Sequence, residues 1–580
     1  MKWNFAIRLA PSRARLCIRV PFNTRFPSRA REQAVSGSFA SSPAPHALVA
    51  VALVCLLASA CSHEESPALE SHAKLFTGMG AIHHPISTKN QDTQKYFDQG
   101  LALIYAFNFG EAVNSFKHGA DLDPDAAMLY WGMALANAPN YNSTTLSPDR
   151  ERAGFDFIQT AAGLEPRAPE AERAYIDALE RAFTDDPNPD RPKLARDYSD
   201  AMREVYRGYP DDADAAALFA ASLMNLNPWH LWKIDGKPGP DTPEIVTVLE
   251  DALRRWPQHT GVNHFYIHTM EGSPDPGRAL PSADRLAGLA PAAGHLVHMP
   301  SHIYLRTGDY AAAVKSNRQA VAADREYRRQ QPVEPPGAMG YANHDQHFLA
   351  VAASMDGEFE TALSAAKEIQ SHVHNEAMAS MYTLVLLRFS KWDEILAAPA
   401  PDTSLKGVTF LWHLARGCAQ AGKGQLKESV DEQSAMERAF SALPAGRAFG
   451  IFFNEWSTLH SLAADELAAR IAAAGGNLSA AIAHWRHAVS VEDQMNFDDV
   501  PDWYYPVRES LGAALLRNKQ PAEAEQVFRQ DLKRNPNNPR SLFGLCSALE
   551  TQHKSKPAAE VRQSFEAAWK GKQQPRLEDL

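Results

Sequence analysis

Three observations predict an all-α chain built of stacked helix hairpins. Beyond residue 90, alanine-rich stretches carry apolar faces of period 3.6 and are separated by short Gly, Pro, Asp or Asn turns. No alternating apolar–polar run there demands a sheet. The same residue types also return at fixed offsets near both ends of this region, which is the mark of a repeat array.

Gly100, Ala112, Phe116 and Pro124 share their offsets with Gly512, Ala524, Phe528 and Pro536. In both places another glycine, Gly132 or Gly544, follows 32 residues after the first. This is tetratricopeptide spacing: a small residue where two helices touch, alanine and an aromatic on the second helix, and proline to end it. A second marker is a turn glycine, an aromatic or Leu two residues on, and Ala five residues on. It occurs at Gly308, Tyr310 and Ala313, at Gly357, Phe359 and Ala362, and at Gly476, Leu478 and Ala481. The expected fold is a tetratricopeptide-repeat-like, right-handed superhelical solenoid. Further helix pairs are expected at 169–183 with 191–208, 213–226 with 243–256, 375–388 with 391–397, and 405–420 with 424–440.

Length and composition are ordinary for a soluble globular protein, with room for several domains or one repeat array. The 580 residues exceed one compact core, and 45% apolar with 22% charged residues excludes global disorder. The first 60 residues hold eight basic residues and one acid, so the remainder is more acidic than the net charge of −11 suggests. An acidic body argues against nucleic acid as a partner. Five cysteines, widely spread, form neither a disulfide framework nor a Cys zinc site.

Ala47 to Ala60 is a charge-free apolar run of 14 residues, too short for a comfortable span. It follows basic residues and ends in Leu57-Ala58-Ser59-Ala60-Cys61, which reads as a signal peptide with a lipobox-like end. Cys61 is the expected lipidated residue, giving an exported chain held at an envelope membrane by its lipid. The organisation is thus a signal segment 1–61, a polar tether 62–90, N-terminal repeats 91–258, His-rich central repeats 259–370 and C-terminal repeats 371–570. Two long interruptions, 227–243 and Gln331–Pro336, are candidates for functional loops.

Of the 22 histidines, eight fall between 259 and 347. His264, His268 and Glu271 are spaced i, i+4, i+7; His295, His298 and His302 are spaced i, i+3, i+7; His344 and His347 are spaced i, i+3. Each set shares one helix face. The register set by Ala279, Ala313 and Ala362 places these residues at the groove-lining positions of three consecutive repeats. Histidine takes seven of nine such slots, where composition alone gives about 0.3. Neighbouring helices lie about 8–10 Å apart, so these rings can converge. Neutral imidazoles suit Zn, Cu or Fe, with Glu271 as a further ligand or a general base. Asn263, Asn343, Tyr304 and Asp345 are placed to fix ring tautomers. The alternatives are a groove using His as hydrogen-bond donors to an acidic ligand, and histidines that serve structure only. Asp493, Asp498, Asp499 and Asp502 read as a solvated acidic loop, since the EF-hand pattern is absent. His83-His84 reads as a surface pair able to reach the groove.

Three segments carry a resemblance: Asn263–Leu280, Gly294–Gly308, and Asp502-Trp503-Tyr504-Tyr505-Pro506 running to Leu516. They resemble signatures of large exported bacterial tetratricopeptide proteins, over about 90 to 550. The resemblance implies fold and grouping and supplies no activity. Two functions follow as expectations. One is an envelope-anchored scaffold whose concave groove takes a protein or peptide. The other is a metal-dependent enzyme, sensor or store built on the His/Glu cluster.

Overall fold

Helix follows helix along the chain, with isolated bridges and no strand among the described residues. The structure is a computed structural model that describes residues 74–143, 146–330, 338–372, 376–450 and 453–580. The signal segment, Cys61, most of the tether and the insert Gln331–Pro336 lie outside the described residues.

The helices pair into antiparallel hairpins in chain order, beginning with Gln91–Tyr105 against Phe109–Leu122 and ending with Pro539–Thr551 against Ser555–Ala568. The intervening pairs include Glu170–Glu180 with Arg191–Gly208, Ala213–Met224 with Thr242–Arg255, and Lys406–Gly422 with Leu426–Ser441. The repeat glycines act as the offsets require. A Cβ on either Gly100 or Gly132 would run into the ring of Phe116, and one on Gly512 or Gly544 into Phe528. Each aromatic thus fills the space left by two glycines on successive first helices, which lets the backbones approach.

The array also touches itself across long sequence separations. Tyr105, at the end of the first helix, packs against Gly261 on the fifth hairpin. Gly308, at φ +81°, closes on Pro536, and Tyr310 Oη donates to the Pro536 carbonyl at 3.1 Å. Buried Arg388 pairs with buried Glu509 through two bonds of 2.5 and 2.9 Å. These contacts surround the central hairpins. In Thr260–Glu271 every residue is buried. A helix buried all round has no solvent face to keep polar. The next first helix is broken once, into Gly294–His298 and Pro300–Thr307, where proline lacks the N–H for the ladder. The third is Ala338–Asp356.

Candidate metal centre

The three central helices bring their histidines together in a buried pair of triads. Ligand atoms of His264, His268 and His295 lie within 4.8 Å of one another, and so do those of His298, His302 and His344. The triads adjoin: the rings of His268 and His302 are 5.5 Å apart, and those of His295 and His298 5.8 Å. The expected groove is not open here. All these rings except half-buried His344 are buried, because Phe107, Tyr141, Trp229 and Tyr341 cover them. Phe107 stacks on His268 and His295, Tyr341 packs on His295, and Tyr141 and Trp229 close on His268.

Hydrogen bonds fix the tautomers. His264 Nδ1 donates to the Tyr105 carbonyl at 2.7 Å, an oxygen that can only accept. His298 Nδ1 donates to Asn317 Oδ1 at 2.6 Å, and Asn317 Nδ2, bonded to the Ala313 carbonyl, sets that amide's orientation. The two oxygens of Glu271 accept from His268 Nδ1 at 2.8 Å and His302 Nδ1 at 2.5 Å. In all four rings it is therefore Nε2 that faces inward. His298 Nε2 meets His302 Nε2 at 2.8 Å, and His264 Nε2 meets His295 Nε2 at 3.2 Å. His268 Nε2 is buried with no hydrogen-bond partner among the described residues. Two nitrogens on one tetrahedral Zn at 2.0–2.1 Å stand about 3.3 Å apart, so the observed spacings suit a shared ion.

Electrostatics keep three of the rings in the ligating form. Burial first, and neighbouring histidines second, push His264, His295 and His298 well below the ordinary imidazole value. Neutral imidazole is the form that binds metal. For Glu271, burial opposes charge, but His302 and His268 hold it down at about 2. Burial likewise opposes charge on His302, and Glu271 overrides it and raises the ring.

Several expected residues take other places. Glu271 turns its two oxygens to His268 and His302, and the three side chains also form a group able to hold one ion, so its position fits both an orienting role and direct ligation. His347 is buried outside both triads, beside a small cavity lined by Val351, Ser354 and Trp503. Asn263 bonds the carbonyls of Pro257 and His259, and Tyr304 bonds Asp284, so neither steadies a ligand ring. Asp345 is buried 3.6 Å from His298 Nδ1. The residues that do the steadying, Tyr105 and Asn317, carry no sequence signal: one acts through its backbone, the other sits on a second helix. The acidic stretch 498–502 is not a solvated loop. It lines a cavity of about 990 Å³ between the 229–236 loop and residues 492–506, with Glu271 and His302 also in the wall. Of the paired histidines, His83 is exposed and His84 is half-buried against Asp214.

No family model matches the chain, and no curated protein matches it. Three solved structures illustrate the structural likenesses found. The APC/C hetero-tetramer Cut9-Hcn1 is 12% identical over 80% of this chain and 78% of that chain, with a TM-score of 0.31. Yeast Tom70 is 11% identical over 82% and 93%, with a TM-score of 0.28. The human IFIT1 dimer with m7Gppp-AAAA is 13% identical over 83% and 91%, with a TM-score of 0.31. Likeness this slight carries no argument about the site, which rests on the residues themselves.

Proposed function

We propose that this chain is a metal-dependent enzyme whose centre holds two ions, one on His264, His268 and His295 and one on His298, His302 and His344. The observation that carries the reading is the 2.8 Å approach of His298 Nε2 to His302 Nε2 while both Nδ1 atoms donate elsewhere. Two bare lone pairs in a dry site repel unless something positive lies between them. A proton on His302 would satisfy that one contact, but it leaves His268 Nε2 unpartnered. Three imidazoles per ion, with Glu271 turned to an orienting task, suit Cu or Zn better than an iron site that needs a carboxylate ligand. Bound metal would supply Lewis acidity, activating water or O2. The cavity reaching Glu271 and His302 favours an enzyme over a closed store.

The test is elemental analysis of the full chain, purified without an affinity tag after growth with Zn, Cu and Fe. About two metal atoms per chain are expected, one for each histidine triad. A metal-free chain after supplementation would falsify this reading and leave the repeat scaffold, with a protein or peptide partner, as the function. The signal-like segment supports a place at the envelope, with Cys61 as the lipid attachment point. Metabolic labelling with a fatty acid should mark the chain and fail to mark Cys61→Ser.

A further inference from the structure

The cavity beside the centre has a chemistry of its own. At about 990 Å³ it can enclose a small molecule or a short peptide end. Seven carboxylates line it against three cations, Lys233, Arg306 and Arg534. Two of those cations are engaged. Arg306 donates to the carbonyls of Glu271 and Ser273 at 2.9 and 3.4 Å and lies over Phe497, and Arg534 pairs with Asp493 at 2.6 Å. Among the described residues no ion pair joins Asp498, Asp499 or Asp502 to a lysine or arginine; Asp499 stands 3.4 Å from His344 Nε2. Asp502 is only 9% exposed. Its Oδ2 accepts from the Asn454 backbone and side chain at 3.2 and 2.6 Å, and among the described residues its carboxyl otherwise meets only that of Asp498. Trp229, Phe497 and Trp503 add aromatic walls. Carboxylates crowded against one another among aromatic faces, with no lysine or arginine to neutralise them, form a receptor for a cationic nitrogen.

We propose that the chamber binds a substrate bearing an ammonium or guanidinium group, seated on Asp498, Asp499 and Asp502, with its reacting end toward Glu271 and His302. The word substrate rests on the metal-centre reading above; capture of the cation does not. A neutral polyhydroxyl ligand would use the same oxygens without preferring charge, and a bare divalent cation would occupy them without the aromatic walls.

The experiment is calorimetric titration of the full chain, both metal-loaded and chelator-stripped, with 2-phenylethylamine and its neutral counterpart 2-phenylethanol. The amine is expected to bind about tenfold tighter than the alcohol in both states, an advantage that weakens with added salt. Asp498→Asn should reduce that advantage to about twofold. Should this variant fail to fold by circular dichroism, the amine-to-alcohol ratio of the unaltered chain still decides. Equal affinity for the two probes, or no binding of the amine, overturns the proposal. So does calcium chloride alone binding the trio and excluding the amine. A chain that takes up no metal on supplementation yet still prefers the amine overturns only the metal reading; a metal-loaded chain indifferent to charge overturns only the chamber.

Discussion

Two knots of histidine and carboxylate, one half-buried and one buried, lie on either side of Tyr105, and they balance their hydrogen bonds in opposite ways. In the first, Asp214 accepts from His84 Nδ1 at 2.9 Å, His259 Nε2 at 3.0 Å and Tyr105 Oη at 2.5 Å. His259 uses its other nitrogen to accept the Val262 N–H, and Asp212 accepts from Tyr175 at 2.7 Å. Donors meet acceptors throughout. In the second knot the Tyr105 carbonyl fixes His264, and ring nitrogens then face ring nitrogens. Residue type alone does not distinguish them, since both hold His and carboxylate in reach of one ion. The donor–acceptor count does: the first is a closed staple between the 83–84 segment and the repeats, and the second leaves buried ring nitrogens of His268 and His295 without a partner among the described residues.

The sharpest way to break this comparison is to remove one ligand from each triad. His268→Ala with His302→Ala should take metal content from about two atoms per chain to nearly none, read by mass spectrometry. Retention of both ions in that variant would mean that the triads are not the site. Asp214→Asn addresses the other knot. It leaves buried donors on His84 and His259 facing an amide, at a cost of about 3 kcal/mol, read as a lower urea midpoint. Metal content should not change. If Asp214→Asn also sheds metal, the two knots are one site and the comparison fails.

The staple has a pH signature whose sign follows from two opposed shifts. Burial works against charge on both groups. For Asp214 the bonds from His259 and His84 win, holding its carboxyl well below the ordinary 3.8. For His84 the bond and charge of Asp214 win, raising it above 6.5. A depressed acid contributes stability above its unfolded value and loses it as pH falls; a raised histidine contributes below its unfolded value and loses it as pH rises. The pair therefore stabilises most between about pH 4 and 6.5. Urea midpoints of the native chain should fall on both sides of that window, and Asp214→Asn should flatten the profile. An unchanged profile would remove the charged pair from the account.

Much of the fold was legible because repeat spacing has a steric cause. Gly100, Gly132 and Phe116 reveal their offset in sequence since one ring needs two missing side chains. The six triad histidines were legible for a similar reason: helical spacing and repeat register together place rings on facing helices. Closure of the groove was hidden. It depends on the array returning on itself, and Phe107, Tyr141 and Trp229 are remote in sequence from the rings they cover. A trace existed all the same. Thr260 to Glu271 carries one formal charge, too few for a helix with a solvated face. The acidic trio misled because sequence shows charge and not enclosure.

His347 gives the finest test, because spacing alone could not tell it from His344. Both sit on the helix Ala338–Asp356, three residues apart, a step of about 300° around the axis. That offset turns His344 toward the second triad, with its ring 4.8 Å from His298, and leaves His347 against Val351 and Trp503. Burial, then His344, push His347 down to about 4, so it stays neutral outside both triads. His344→Gln should weaken the second ion roughly tenfold or more, read by competition with a chelator. His347→Gln keeps a polar side chain of similar reach, should leave both ions bound, and should shift stability by less than about 1 kcal/mol. If the two variants lose metal equally, the ligand assignment must be redrawn along the whole helix face, and the division between triad and staple loses its geometric basis.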